Sequence, residues 1–286
     1  MKQIQIQCPA KINLTLKVLN KREDGFHNIE SIMQTINLFD YLTISTEKSE
    51  QSEINLSGTS TEIPYNRKNL VYKATELFLE NINLPPHKIN IFIEKNIPVA
   101  AGLAGGSTDA AGTIFGLNEI FDKPLTKENL HDLCAQLGSD LNLCLEGGKQ
   151  MTRGRGEILK PLEFEEFNLS LIKPKNLGIS AKEAYTKYSE KKCKINPRPL
   201  RERVEILNEQ SEFSISGEGY LNDLEWAIID DYPQLQKIKQ LYPNSVMSGS
   251  GSAYFVIGQE FEHLDGYETY NNLKSIPTGV CLKKDP

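Results

Sequence analysis

The chain opens on alternation. Ile4 and Ile6 stand between polar neighbours, and after Pro9 a longer run puts Ile12, Leu14, Leu16 and Val18 on one face. Lys11, Asn13, Thr15 and Lys17 share the other, so a strand is predicted. Residues 35–44 read as another strand, with residues 28–33 extending toward its pairing partner. Residues 69–80 carry Leu70, Ala74, Leu77 and Phe78 at helical spacing, and Ile89, Ile91 and Ile93 alternate in a strand ending before Pro98.

A glycine-dense segment follows at residues 102–106 and runs into Ser107, Thr108 and Asp109, three good N-cap residues. The helix behind it would bury Ala110, Ala111, Ile114 and Leu117, while Gly112 and Gly116 leave room for close approach of another backbone. A second helix is predicted from Thr126 to Gly138. Leu141, Leu143 and Leu145 then alternate as a strand that stops at Gly147 and Gly148. Beyond residue 155 the composition shifts. Helices are expected at 180–189, 199–209, 220–229 and 233–242, and strands near 168–172 and 251–258. The expected organisation is two α+β domains, residues 1–155 and 156–286.

Composition narrows the function classes. The 286 residues are 39% hydrophobic and 24% charged, a globular balance with enough apolar material for a sizeable core. The net charge of -6 disfavours a broad nucleic-acid surface. No apolar run reaches membrane-span length and the start lacks an apolar leader core, so a cytoplasmic protein is expected. Cys8, Cys134, Cys144, Cys193 and Cys281 are scattered, which reads as reduced thiols rather than disulfides or a zinc site.

Several segments could carry chemistry, and each has a plainer reading. The loop from Pro98 to Asp109 offers close backbone N–H groups and a helix N-terminus to a phosphate, or it is a capped tight turn. It matches neither GxxxxGK[ST] nor GxGxxG. Lys11 is either a solvated strand lysine or the partner of an acid across a pocket. Asp140 is either a turn aspartate or a general base. Phe26 and His27 follow an Asp-Gly turn and either stack on a base or sit as ordinary loop side chains. Gly249, Ser250 and Gly251 form a second glycine-serine loop, a flexible turn or a phosphate lining. Arg153 to Glu157 could grip phosphate or form a solvated turn.

The order of these segments carries a resemblance. CPAKINLTLKV, DGFHNIESIMQTINLFD, IPVAAGLAGGSTDAAG, LGSDLN, GRGE, YLNDLE and MSGSGSAYF together resemble the GHMP kinase superfamily from about residue 6 to about residue 258. DGFHNIESIMQTINLFD points to its branch acting on 4-diphosphocytidyl-2-C-methyl-D-erythritol. The resemblance implies a two-domain α+β fold, with a ribosomal S5 domain 2-like N-terminal domain and a ferredoxin-like α/β sandwich C-terminal domain. It implies transfer of the ATP γ-phosphoryl to the substrate 2-hydroxyl.

By the same resemblance Asp140 is the catalytic base and Lys11 its partner at the hydroxyl. Asn13 orients the acceptor, Phe26 and His27 hold the cytosine, and Ser180 lies near the substrate. Gly102, Leu103, Ala104, Gly105, Gly106 and Ser107 match the triphosphate loop, flanked by Pro98 and Thr108. Lys95 and Asp109 fall toward the nucleoside, and Gly249, Ser250 and Gly251 match the third motif. ATP and Mg²⁺ are implied, the ion riding on the phosphates with Ser107 as one candidate ligand. The expected partners are small molecules, with no nucleic acid or membrane, and the expected state is a monomer or homodimer. Three departures from the pattern are Phe26 for a commoner Tyr, Leu141-Asn142 for Val-Pro, and Ala181 for Thr. The rival readings are another GHMP kinase of homoserine or mevalonate type, and a non-catalytic binding protein of the same fold.

Overall fold

The computed structural model describes residues 2–194 and 221–283. The helix expected at 199–209 lies outside them. The first half runs β1 (Lys2–Lys21), β2 (His27–Lys48), β3 (Glu53–Gly58), α1 (Leu70–Glu80), β4 (His87–Glu94), α2 (Gly105–Ile120), α3 (Lys127–Leu137) and α4 (Leu141–Glu146). Next come β5 (Lys149–Arg153), β6 (Ile158–Pro161), β7 (Asn168–Pro174), α5 (Ala181–Lys194) and α6 (Asp223–Ile228). A 3-10 turn (Ile229–Asp231) leads to α7 (Pro233–Leu241), β8 (Val246–Met247), β9 (Tyr254–Ile257), β10 (Tyr267–Lys274) and β11 (Cys281–Leu282). No helix among the described residues is long and apolar enough to cross a membrane.

Two sheets organise the chain. The larger has the order β11-β1-β2-β4-β3, with β5 pairing the other end of β2 and β6 pairing β5. Only β3 and β4 run parallel in it. The smaller is the antiparallel order β10-β7-β9-β8. The strands expected at 28–33 and 35–44 are one strand, β2, which pairs along almost all of β1 with register shifts after Pro9 and Asn13. Positions on both faces of that ladder are buried, and Thr35, Gln34 and Met33 pair in unbroken register with Lys11, Ile12 and Asn13, so the break seen in the pattern at residue 34 is a buried polar position within one strand.

Helices α1 and α2 cover Ile6, Leu42, Ile44, Ile89, Ile91 and Ile93. Each buried aliphatic side chain contributes roughly 1.5–3 kcal/mol. Gly112 and Gly116 allow α2 to settle there. A Cβ at Gly112 would lie 2.4 Å from Cys8 Sγ, and one at Gly116 would lie 2.6 Å from Ile44 Cδ1. The close approach is therefore by sheet side chains, not by another backbone as expected.

Strand β1 threads three cores in succession. Ile6 and Cys8 lie under α2, Ala10 and Ile12 pack between the sheets with Leu171 and Phe255, and Leu16 and Val18 join the core of α5, α6 and β9. Its middle is thus sealed on both sides. The far end of the chain also belongs to the larger sheet: β11 pairs with Ile6 and Gln7, and Val280 N–H donates to the Cys144 carbonyl. A Cβ on Gly147 would lie 1.9 Å from the Gly279 nitrogen, so the two backbones touch.

The residues 141–145 form helix α4, where a strand was expected. Leu141, Asn142, Leu143 and Cys144 are all buried. A helix buried on every side gives no amphipathic stripe, so the alternation of leucines carried no strand information.

Candidate active site

The middle of β1 places Lys11 and Asn13, both at most 3% exposed, on the floor of a cleft of about 800 Å³. Lys11 Nζ donates to Asn13 Oδ1 at 2.7 Å and lies 3.3 Å from Asp140 Oδ2. Asn13 Nδ2 in turn donates to Ser31 Oγ at 2.9 Å, and Ser31 donates to the Thr15 carbonyl. This relay fixes the Asn13 amide with its oxygen toward the lysine. Asp140 ends the α3–α4 connection at the N-cap of α4, yet its side chain makes no capping bond. It remains 28% exposed, open to the cleft, while its lysine is sealed. The carboxylate is thus held beside a cation with an oxygen available to a ligand.

The glycine loop forms the adjoining wall. Ala100, Gly102 and Ala104 take positive φ angles of 51°, 76° and 60°. At Gly102 a Cβ would sit 2.0 Å from the Ser248 carbonyl oxygen, so glycine is required there. Helix α2 begins at Gly105, with Ala104 as its N-cap, and not after Ser107–Asp109 as expected. The left-handed turn at Ala104 launches it early. Ser107 falls inside the first turn, where backbone N–H groups have no intrahelical partners, while the Thr108 N–H already donates to the Ala104 carbonyl at 2.8 Å and Asp109 follows it in the second turn. Nothing lies within 4 Å of a Cβ built at Gly106, so that side of the loop is open. A second cavity of about 370 Å³ lies across the loop, bounded by Pro98, Lys95, Asp109 and Asn69. Gly102, Ala104 and Ser107 line both cavities.

The second glycine-serine loop packs onto the first. Ser248 Oγ donates to the Gly102 carbonyl at 3.0 Å, and Ala253 N–H donates to the Ala101 carbonyl at 3.1 Å. Gly249 and Ser250 line the main cleft, and Gly251 is buried behind them. Asn222 ties this loop to α6: its amide donates to the Met247 and Gly249 carbonyls, and its oxygen caps Leu224 N–H.

Phe26 and His27 line the far end of the cleft. Phe26 is 51% exposed. His27 stacks on Tyr185, with ring centroids 5.2 Å apart. Ser189 Oγ gives its proton to the Tyr185 carbonyl, so it accepts from His27 Nε2–H, 3.2 Å away. That assigns the Nε2 tautomer and leaves Nδ1 as an acceptor. Burial, then Lys21 and Lys192, holds the imidazole pKa below its ordinary value.

Lys95 and Asp109 form a buried triad with Asp40 under the loop. Lys95 bonds Asp40 and lies 2.9 Å from Asp109 Oδ2. Asp40 also accepts from the Asn96 and Ile97 N–H groups at 2.6 and 2.8 Å, anchoring the start of the loop to β2. Burial raises the Asp109 pKa to about 7 against the pull of Lys95. Ser180 is the N-terminal cap of α5, accepting from Glu183 N–H at 3.1 Å, while its neighbours Ala181 and Lys182 line the cleft.

Among known proteins, the chain is 37% identical over 281 residues to a 4-diphosphocytidyl-2-C-methyl-D-erythritol kinase from Alkaliphilus metalliredigens, covering 96% of this chain and 91% of that one. A protein of the same name from Caldicellulosiruptor bescii is 37% identical over 272 residues, covering 93% of each. The chain belongs to this kinase family. Residues 69–148 also match the GHMP kinases N terminal domain, and GHMP kinases use ATP as co-substrate. The crystal structure of a 4-(cytidine 5'-diphospho)-2C-methyl-D-erythritol kinase superposes with a TM-score of 0.71 at 28% identity, covering 95% of this chain and 99% of that one. Homoserine kinase from Cytophaga hutchinsonii gives 0.71 at 15% identity, covering 99% and 98%, and shares the α+β GHMP fold.

The kinase cleft also contains residues that the sequence reading missed. Tyr185, Ser189, Lys182, Thr186 and Glu190 of α5 line it. Their signal was present as a stripe: 181, 185 and 189 are spaced by four, as are 182, 186 and 190, so both rows share one helix face.

Proposed function

We propose that this chain transfers the γ-phosphoryl group of ATP to the 2-hydroxyl of 4-diphosphocytidyl-2-C-methyl-D-erythritol. The products are the 2-phosphate and ADP, in the non-mevalonate route to isoprenoid precursors. The observation that carries the chemistry is the Asp140–Lys11 pair, 3.3 Å apart, on the floor of a cleft that ends at the glycine loop.

In this reading Asp140 takes the hydroxyl proton as the oxygen attacks the γ-phosphorus, and the bond to the bridging oxygen of the β-phosphate breaks. Lys11 lies 3.3 Å from the Asp140 carboxylate and draws charge from the attacking oxygen. Asn13 orients the acceptor, and Phe26 and His27 bind the cytosine, with His27 Nδ1 as acceptor for its exocyclic amine. The triphosphate lies over Gly102 to Ser107, with Gly106 as the open cradle and the N-terminus of α2 supplying N–H groups. Residues 1–155 bring the loop and the reacting pair, and residues 156–286 close the cleft with α5 and the second glycine-serine loop. Phosphoryl transfer asks mainly for this alignment and for charge neutralisation.

ATP enters as its magnesium complex. Among the described residues no three His, Cys, Asp or Glu side chains form a metal cluster. The Ser107 hydroxyl at the loop fits a single ligand, and the phosphates carry the rest.

The test is ADP formation from ATP, Mg²⁺ and the cytidylated acceptor, by the wild type and by Asp140→Asn. A fall of about 10²–10⁴ in kcat is expected for the variant. Unchanged activity sinks Asp140 as the base. Turnover only with homoserine or mevalonate sinks the acceptor. Nucleotide binding without turnover of any alcohol makes the chain a binding protein.

A further inference from the structure

The turn between β5 and β6, residues 154–157, reaches the main cleft through Arg155 without being part of the reacting pair or the glycine loop. We propose that Arg155 in this turn is a positioning residue for the nucleobase end of the substrate. It holds the Phe26 ring in place beside the His27–Tyr185 stack. The inference rests on the functional reading above and deepens it.

Phe26 sits at the tip of the β1–β2 turn and is 51% exposed. Its backbone is braced, since its N–H donates to Asp24 Oδ1 at 3.1 Å. A half-exposed phenyl ring on a turn has rotamer freedom that binding must remove. Arg155 supplies the restraint: its Cζ lies 5.0 Å from the Phe26 ring centre, within cation–π range. The arginine is itself held. Its Nη2 donates to the Ala135 carbonyl in the last turn of α3 at 3.2 Å, and its Nε lies 3.9 Å from Glu157 Oε1. Both Phe26 and Arg155 line the cleft. The two turns meet because β2 and β5 are paired, with Ile29 N–H donating to the Gly154 carbonyl at 2.8 Å. A phenylalanine offers no hydroxyl by which to be tied down, so a cation on its face is the available anchor.

The same turn touches the reacting acid. A Cβ at Gly156 would lie 3.6 Å from Asp140 Oδ1, and Asn142 Nδ2 donates to the Glu157 carbonyl at 3.1 Å. A structural role through this contact would act on kcat. A role through Phe26 would act on the affinity for the base.

Steady-state kinetics separate the two. Arg155→Met is expected to raise KM for the cytidylated acceptor about tenfold, and the inhibition constant of cytidine monophosphate in parallel. Its kcat and KM for ATP should stay within about twofold of the wild type. Arg155→Lys, which keeps a cation for the ring but not the fork, should recover part of the loss. In the Phe26→Leu background, Arg155→Met should cost nothing further, because both act through one ring. An equal fall in kcat with unchanged KM values assigns the turn to Asp140 and overturns the proposal. So does an additive double variant, or a KM that Arg155→Met does not move. A wild type that neither turns over the acceptor nor binds cytidine monophosphate fails earlier, on the functional reading itself.

Discussion

Asp140 and Lys11 form an ion pair of unequal exposure: the carboxylate faces the cleft, 28% exposed, and the ammonium beneath it is 3% exposed. The lysine reaches the acid from behind and leaves its front free. Replacing Lys11 with Met removes the donor to the buried Asn13 oxygen and the cation beside Asp140. Stability should fall by roughly 1–3 kcal/mol, and kcat by at least about a hundredfold. Lys11→Arg should not rescue. The ammonium sits between Asn13 Oδ1 at 2.7 Å and Asp140 Oδ2 at 3.3 Å, and the longer planar guanidinium cannot place a single nitrogen at that point. Chemical denaturation and initial rates check both parts.

Two glycines of the first loop should respond in opposite ways. A methyl at Gly102 meets the Ser248 carbonyl at 2.0 Å, on a residue with φ of 76°. Gly102→Ala should therefore lose both stability and activity. A methyl at Gly106 meets no protein atom within 4 Å, and its backbone is helical. Gly106→Ala should melt at or above the wild-type temperature, since alanine favours a helix by about 0.5–1 kcal/mol. Its KM for ATP should nonetheless rise about tenfold if phosphate occupies that space. An unchanged KM removes Gly106 from the nucleotide site.

Asn222 joins three segments from a fully buried position. Alanine there uncaps α6 and strands the Met247 and Gly249 carbonyls. The expected loss is about 2–4 kcal/mol in denaturant unfolding. Asn222→Asp should be nearly as damaging, because it keeps the capping acceptor but cannot donate to either carbonyl.

Asp223 gives the stability a pH signature. Burial raises its carboxyl pKa from 3.8 to about 6, against the Val18 N–H that donates to it at 2.7 Å. A raised acid binds its proton more tightly when folded. Its stabilising contribution is complete below pH 4 and is lost as pH rises through about 6. Asp223→Asn keeps an acceptor for Val18 and has no charge to bury. The melting temperature of the variant, relative to the wild type, should therefore climb between pH 4 and 7. A flat difference across that range removes Asp223 from the linkage.

Much of the first half was legible because its signals are local. The helical spacing over residues 69–80, the helix starting at Thr126 and the stripe of Ile89, Ile91 and Ile93 each report a regular element with one buried face, and the alternation at Ile12 to Val18 reports a strand that is in fact buried on both faces. The glycine loop and the positions of Lys11, Asn13 and Phe26 were readable as motifs. What failed depended on distant packing. Leu141 to Leu145 alternate by chance within a helix buried all round. The start of α2 was set by a left-handed alanine, which no composition signal announces. Strands β8 and β11 contain two residues each and exist only through their partners. Tyr185 and Arg155 came into the cleft by tertiary approach, and no neighbouring residue in the chain announces the ring each one meets.

The contact between Gly147 and Gly279 has a bearing on how this molecule is made. During synthesis the edge of β1 at Ile6 and Gln7, and the backbone at Cys144 and Gly147, emerge before the segment that covers them. They are covered by residues 279–282, which leave the ribosome more than a hundred positions later. The nascent first sheet must wait with one edge unpaired, the kind of strand that recruits other chains. A peptide spanning the last strand, supplied in trans to a truncated chain, would occupy the same edge and compete with aggregation.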